Sequence, residues 1–203
     1  MNITNQNKIF WKNKANLLKW EKIPNKIFQK KNNHPLWYSD GKIDIYQNLI
    51  SRNVKLNPKK IAIITVNKNN EIKNYSYQEI DLLVNSFLNK LYLKKKIIKK
   101  MMIHASASID SAISMLACCK RGIFFSVIFE DLPYGAIKTR IKLFKPDTFI
   151  TRSKKLYKNL NNEKQLKKIE IFNFDKLNKI QIRKIKIIKN KIIKSNNNFF
   201  CLF

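Results

Sequence analysis

The sequence predicts an α/β fold with a mainly parallel sheet and crossover helices, and three observations carry that expectation. Short β-favouring runs alternate with helix-period segments between residues 61 and 151, and such alternation builds a parallel sheet joined by helices. The runs are apolar and bounded by turn residues, as buried strands are. The chain has 203 residues, 44% of them hydrophobic and 11% aromatic, which is enough for a packed core and excludes wholesale disorder.

The elements follow in order. Residues 1–35 are rich in Asn, Lys and Trp; Phe10, Trp11, Leu17, Leu18 and Trp20 predict a short amphipathic helix that needs a partner surface. Asp40-Gly41 is a tight-turn signal. Residues 61–66, set between Asn57-Pro58 and an Asn-rich stretch, read as a strand. Ser76 and Glu79 form a capping box, and the helix it opens places Ile80, Leu83, Val84, Phe87, Leu88 and Leu91 on one face. Met101-Met102-Ile103 is a short strand. A helix through Ile109, Ala112, Ile113, Leu116 and Ala117 follows it and should stop at Gly122. Residues 124–129 read as a buried strand. Pro133 opens a helix with Ile137, Ile141 and Phe144 inward that ends before Pro146. Residues 148–151 form a fourth strand. Beyond 152, Lys, Asn and Ile dominate without a clean period. The apolar pieces at residues 169–172 and 185–188 read either as irregular strands or as a loose basic linker.

Composition restricts the chemistry. The three glycines, Gly41, Gly122 and Gly135, cannot be fitted to a G-x-x-x-x-G-K-[ST] or G-x-G-x-x-G phosphate loop. Two histidines and three cysteines without a C-x-x-C pair do not make a zinc site. Lys and Arg number 42 against 13 Asp and Glu, a formal net charge of +29. Lys accounts for 37 of those cations and Arg for five, while uncharged Ile (31) and Asn (26) are enriched beside them. A dedicated nucleic-acid binder would use Arg and gather its charge on one face. The spread of Lys along this chain reads instead as base-composition drift toward A/T-rich codons. No secretory signal opens the chain, and the apolar stretch at residues 109–129 is too short and too interrupted to span a bilayer. A cytoplasmic protein with no membrane partner is expected, with Cys118 and Cys119 as buried free thiols.

At residues 37–53 the sequence meets a known pattern. Trp37-Tyr38-Ser39-Asp40-Gly41-Lys42-Ile43-Asp44, with Asn48 and Ser51-Arg52 after it, resembles the W-F-x-G-G-x-L-N-x-x-x-N-x-x-D-R segment of AMP-forming acetyl-CoA and propionyl-CoA synthetases. Phe10-Trp11, Leu18 and Trp20 resemble the same family's N-terminal extension. Tyr75-Ser76-Tyr77-Gln78-Glu79-Ile80 is similar to its T-Y-x-E-L motif. Met115-Leu116-Ala117-Cys118-Cys119-Lys120-Arg121-Gly122, continuing through Ser126-Val127-Ile128-Phe129, is similar to M-L-A-C-A-R-I-G-A-x-H-S-V-V-F. Arg140-Ile141, Lys145-Pro146-Asp147 and Phe149-Ile150-Thr151 match R-I, K-P and L-I-T in order.

The resemblance implies an incomplete first half of the adenylate-forming large domain, with a helical N-terminal extension. It divides the chain into residues 1–45 (the extension), 46–152 (the first part of the AMP-binding large domain) and 153–203 (a basic linker). The ending Phe199-Phe200-Cys201-Leu202-Phe203 resembles the family strand F-I-L-Y that precedes the phosphate loop. The implied reaction is ligation of a short carboxylate to CoA through an acyl-adenylate. The full-length family uses ATP, Mg²⁺ and CoA, and the parts that handle them lie after the segment present here. This segment is therefore expected to bind no cofactor and to be inactive alone, with the rest of the ligase, encoded downstream, as its partner.

No catalytic, cofactor-binding or metal-ligating residue is assigned. His104 reads as a satisfied or half-exposed side chain, Glu130-Asp131 as helix-start chemistry, Ser126 as a strand residue, and Lys154, Lys155 and Lys158 as solvated charge. Lys95 to Lys100 lacks the family's K-K-G-D turn, which leaves the entry to the next strand unexplained. The alternative reading is a non-enzymatic basic domain that reuses this half-fold to bind RNA or a protein. Drift predicts RNA affinity that is weak, indifferent to sequence and lost as salt rises. A salt titration that leaves a sequence-specific component would favour the alternative.

Overall fold

Met101-Met102-Ile103 becomes the core of an inner strand in a four-stranded parallel sheet. The computed structural model describes residues 4–93 and 97–175. These divide into two units, one ending at Leu56 and the other starting at Asn57. The division falls eleven residues beyond the boundary at 45 that the resemblance implies.

In the first unit, helix α1 spans Asn5–Ala15, capped by the Thr4 hydroxyl, which accepts from the Asn7 amide. The helix ends before Leu17 and Leu18, and Trp20 lies instead on strand β1 (Trp20–Lys22), so the expected amphipathic helix is shorter than its apolar residues suggested. Only Ala15 of α1 is buried, and it accepts a 2.8 Å hydrogen bond from the Trp20 indole. Strands β2 (Phe28–Lys31) and β3 (His34–Trp37) form an antiparallel hairpin. Its turn is Asn32-Asn33, both at positive φ (49° and 62°), the conformation that a two-residue hairpin turn needs.

Asp40-Gly41 does lie in a tight turn, closed by the Gly41 amide on the Tyr38 carbonyl at 2.9 Å. Asp40 accepts from the Asn25 and Lys26 amides, and a Cβ on Gly41 would come within 2.8 Å of the Trp20 ring. Strand β4 (Lys42–Ile43) pairs with β1, and a π-helical turn (Gln47–Ser51) leads into helix α2 (Arg52–Leu56).

The second unit opens with strand β5 (Ile61–Val66), where a strand is expected. It pairs antiparallel with β6 (Ile72–Ser76) in a separate hairpin and does not join the parallel sheet. Helix α3 (Tyr77–Tyr92) starts at the reciprocal box: Glu79 N donates to Ser76 Oγ, and Ser76 N donates to Glu79 at 2.7 Å. Its buried face is Ile80, Val84, Phe87, Leu88 and Leu91; Leu83 is 37% exposed and outside it.

Strand β7 (Lys100–His104), helix α4 (Ile109–Arg121), strand β8 (Phe124–Ile128), helix α5 (Tyr134–Phe144) and strand β9 (Thr148–Thr151) then alternate as predicted. Gly122 ends α4 at φ 66°, and Lys145 ends α5 at φ 52°. The buried residues of α4 are Ser111, Ile113, Ser114, Ala117 and Cys118, with Ala112 and Leu116 half-buried. Residues expected to begin a basic linker at 153 instead form helix α6 (Lys154–Asn162) and strand β10 (Glu170–Asn173), which pairs parallel with β9. The apolar stretch at 185–188 and the ending at 199–203 lie outside the described residues.

The sheet order is β10-β9-β7-β8, all parallel. Helices α5 and α6 cover one face, packing Ile137, Ile141, Leu156 and Leu160 against Met102, Phe149 and Ile171. Helix α4 lies on the other face, where Cys118 Sγ reaches Met101 Sδ at 3.6 Å. Burial pushes the Cys118 thiol up, so it stays protonated, and neither Cys118 nor Cys119 is in a disulfide.

Asp147 supplies what the missing K-K-G-D turn does not. Its carboxylate accepts from the Lys99 and Lys100 amides at 2.7 and 2.8 Å, and its own amide and carbonyl bond Lys100 and Glu170. One residue therefore ties the starts of β7, β9 and β10 together. Asp147→Ala should lower stability by about 1–3 kcal/mol, the usual range for losing charge-assisted hydrogen bonds, measured as a fall in denaturation midpoint. An unchanged midpoint would show that the clamp is dispensable.

Candidate functional site

The chain leaves β7 for β8 on one side and later returns past β7 to β9 on the other. This reversal makes the carboxyl ends of β7 and β9 the topological switch point, the place where open α/β sheets leave a crevice for ligands. The residues ending three of the four strands there are polar and buried: His104 on β7, Thr151 on β9 and Asn173 on β10.

His104 and Thr151 are register partners, and His104 Nδ1 meets Thr151 Oγ1 at 2.9 Å. Thr151 Oγ1 also accepts from the Ser153 amide at 3.0 Å, and Ser153 in turn caps α6 by accepting from Leu156. Asn173 donates to the Arg152 carbonyl at 3.1 Å and accepts from the Asp175 amide. The Arg152 guanidinium pairs with Asp110 in the first turn of α4 and lies 3.9 Å from Asp175. The switch point is thus closed by a continuous polar chain that joins β7, β9, β10 and two helix starts.

His104 is 2% exposed, and its Nε2 has no hydrogen-bond partner among the described residues. Burial lowers its pKa, opposed by the charge of Glu130, so the ring is neutral. It stacks on Phe149, 6.1 Å between centroids. Enclosed this way, His104 holds one hydrogen bond to a buried polar atom through Nδ1.

The other candidates are dispersed. Glu130 and Asp131 are exposed and lie ahead of the first turn of α5, whose N-cap is Pro133 without a side-chain hydrogen bond. Lys154, Lys155 and Lys158 are exposed on α6, and Ser126 sits in the edge strand β8. The sequence reading missed Thr151, Asn173 and the Arg152–Asp110 pair as parts of one network. Its available signal was a polar residue closing each apolar strand run.

Cofactor chemistry can be tested against these residues. No group of three or more His, Cys, Asp or Glu among the described residues could hold a metal ion. The chain's glycines form no phosphate loop. Among the described residues, no helix is long and apolar enough to cross a membrane.

Charging His104 is disfavoured in the folded state, because its folded pKa lies below the ordinary 6.5. The unfolded chain therefore takes up the proton first, and stability falls as pH drops below about 6.5 before levelling off beneath the lowered folded-state value. Denaturation between about pH 7.5 and 5.5 should show this loss in the wild type and a flatter profile in His104→Phe. Parallel profiles would contradict the assignment.

No family model matches the chain. Curated relatives do. It is 31% identical over 143 residues to the acetyl-coenzyme A synthetase of Bdellovibrio bacteriovorus, covering 66% of this chain and 22% of that protein. It is 30% identical over 140 residues to the acetyl-coenzyme A synthetase of Escherichia coli K12, covering 65% and 21%. The chain spans about a fifth of the length of the curated relatives it matches. Among solved structures, VinN in complex with L-aspartate superposes with a TM-score of 0.54 at 14% identity, over 65% of this chain and 32% of VinN. VinN with 3-methylaspartate gives the same score; at this identity the likeness speaks for the fold alone. Over about two thirds of its residues, the chain is similar in sequence to acetyl-coenzyme A synthetases, and it shares the α/β fold of VinN.

Proposed function

We propose that this chain supplies the opening part of an ATP-dependent, AMP-forming acetate or propionate–CoA ligase, and that adenylation needs polypeptide beyond these 203 residues. The observation that carries the reading is the alignment with acetyl-coenzyme A synthetases over 143 residues, a fifth of the relative's length. Two features support the need for a complement. The chain has no glycine-rich element to hold phosphates. The outer face of the β5–β6 hairpin exposes Ile64, Val66 and Ile72, each more than 60% accessible, and such a face is stable in a larger protein only when covered.

In this reading the segment is scaffold. Its sheet presents a closed switch point, and the groups that meet charge on the transferring phosphoryl oxygens come from the rest of the ligase, encoded downstream. The compartment is the cytoplasm, in keeping with the buried, unbridged Cys118.

ATP–pyrophosphate exchange with acetate and propionate tests the proposal. The purified 203-residue chain should give no exchange above background with either acid. Robust exchange by a clean preparation of the chain would overturn it.

A further inference from the structure

Helices α3 and α4 enclose a second feature, on the sheet face opposite the His104 ring. A cleft of about 360 Å³ is lined by Lys73 of β6 and Lys90 of α3, together with Tyr75, Ser86, Phe87 and Phe174. That volume is in the range of small-molecule sites, roughly 300–1,000 Å³. Phe87 and Phe174 are buried and stacked, 6.4 Å between centroids and 24° between planes, so the apolar floor is fixed. The Lys73 ammonium lies 5.0 Å from the centre of the Tyr75 ring.

The charge on this lining is one-sided. Asp110 is the acidic residue among the described lining, and Arg152 already pairs with it. Lys90 forms no ion pair among the described residues, and burial lowers its pKa, so its charge is held partly desolvated without a counterion. A cationic group in that condition gains from any anion that reaches it, more than a fully hydrated surface lysine does. Residues 176–203 hold eight Lys and Arg and no Asp or Glu, so they offer no side-chain anion to it. Charge complementarity favours a ligand from outside.

We propose that this cleft binds a small organic anion with a planar apolar body, an aryl phosphate or aryl carboxylate. Lys73 and Lys90 take the anionic group, and Tyr75 and Phe87 take the ring. Neither the ligase reading nor the switch-point network is needed for this, although Asp110 belongs to the network and also lines the cleft.

Calorimetric titration of the full chain at about 0.15 M salt tests it, with phenyl phosphate, benzoate, inorganic phosphate and phenol as probes. Phenyl phosphate or benzoate should saturate one site at least tenfold more tightly than inorganic phosphate or phenol, and the tighter of the two identifies the head group. Lys90→Gln should weaken binding at least fivefold, and Lys73→Gln, at an exposed position, gives the same reading without disturbing the core. Lys142→Gln, on the exposed side of α5, should leave it unchanged. Equal affinity for phenyl phosphate and inorganic phosphate, equal losses in Lys142→Gln and Lys90→Gln, or no saturable binding would each overturn the proposal.

Discussion

An inner parallel strand has no face turned to water, and the second unit is organised around that constraint. Four consecutive residues of β7, from Met101 to His104, are each at most 2% exposed. Parallel sheets need helices on both faces to reach this condition. Here α4 meets the Met101 side, and α5 and α6 meet the Met102 side. The alternation of strand and helix in the chain is the covalent expression of that need, because each crossover helix brings its own apolar stripe to the sheet. His104 is drawn inside by the same rule. As the last residue of a strand with no exposed face, its ring is buried, and register gives Nδ1 the partner Thr151 while Nε2 has none among the described residues.

Local chemistry was legible in the sequence wherever a residue acts on its own few neighbours. The Ser76–Glu79 box and the Gly122 stop are decided within four or five residues, and both stand as read. Pairing was less legible. Ile61–Val66 is as β-favouring as the parallel strands, yet it pairs with Ile72–Ser76, whose Lys-Asn-Tyr composition carries little apolar signal. Exposed hairpin strands need no such signal, since backbone hydrogen bonds alone define them. Helix α6 was hidden for a related reason, whereas β10 falls where a strand was one of two readings. Only Leu156 and Leu160 of α6 are buried, spaced one turn apart within a lysine-rich stretch.

The switch-point network was the least legible part, because its members are far apart in sequence. His104 and Thr151 are 47 residues apart, Arg152 and Asp110 are 42 apart, and Asn173 reaches Arg152 across 21. Residue type could nominate each of them, but only the strand order 10-9-7-8 brings them to one edge. Asp147 shows the converse. It follows the Lys145-Pro146 pair that the resemblance picked out, and its carboxylate fixes where three strands begin.

The turns place different demands on residue type from the core. Five described non-glycine residues adopt positive φ, three of them asparagines (Asn32, Asn33 and Asn70), with Tyr38 and Lys145 completing the set. Asparagine tolerates this conformation, whereas a lysine there strains its backbone by about 1–2 kcal/mol. An enrichment in Asn can therefore be absorbed at hairpin tips almost silently, while Lys145 at the end of α5 holds a left-handed backbone, φ 52°, that sterics disfavour. Substitution pressure on such a chain is filtered position by position: surfaces accept lysine freely, reversals accept asparagine, and the cost accumulates where neither fits.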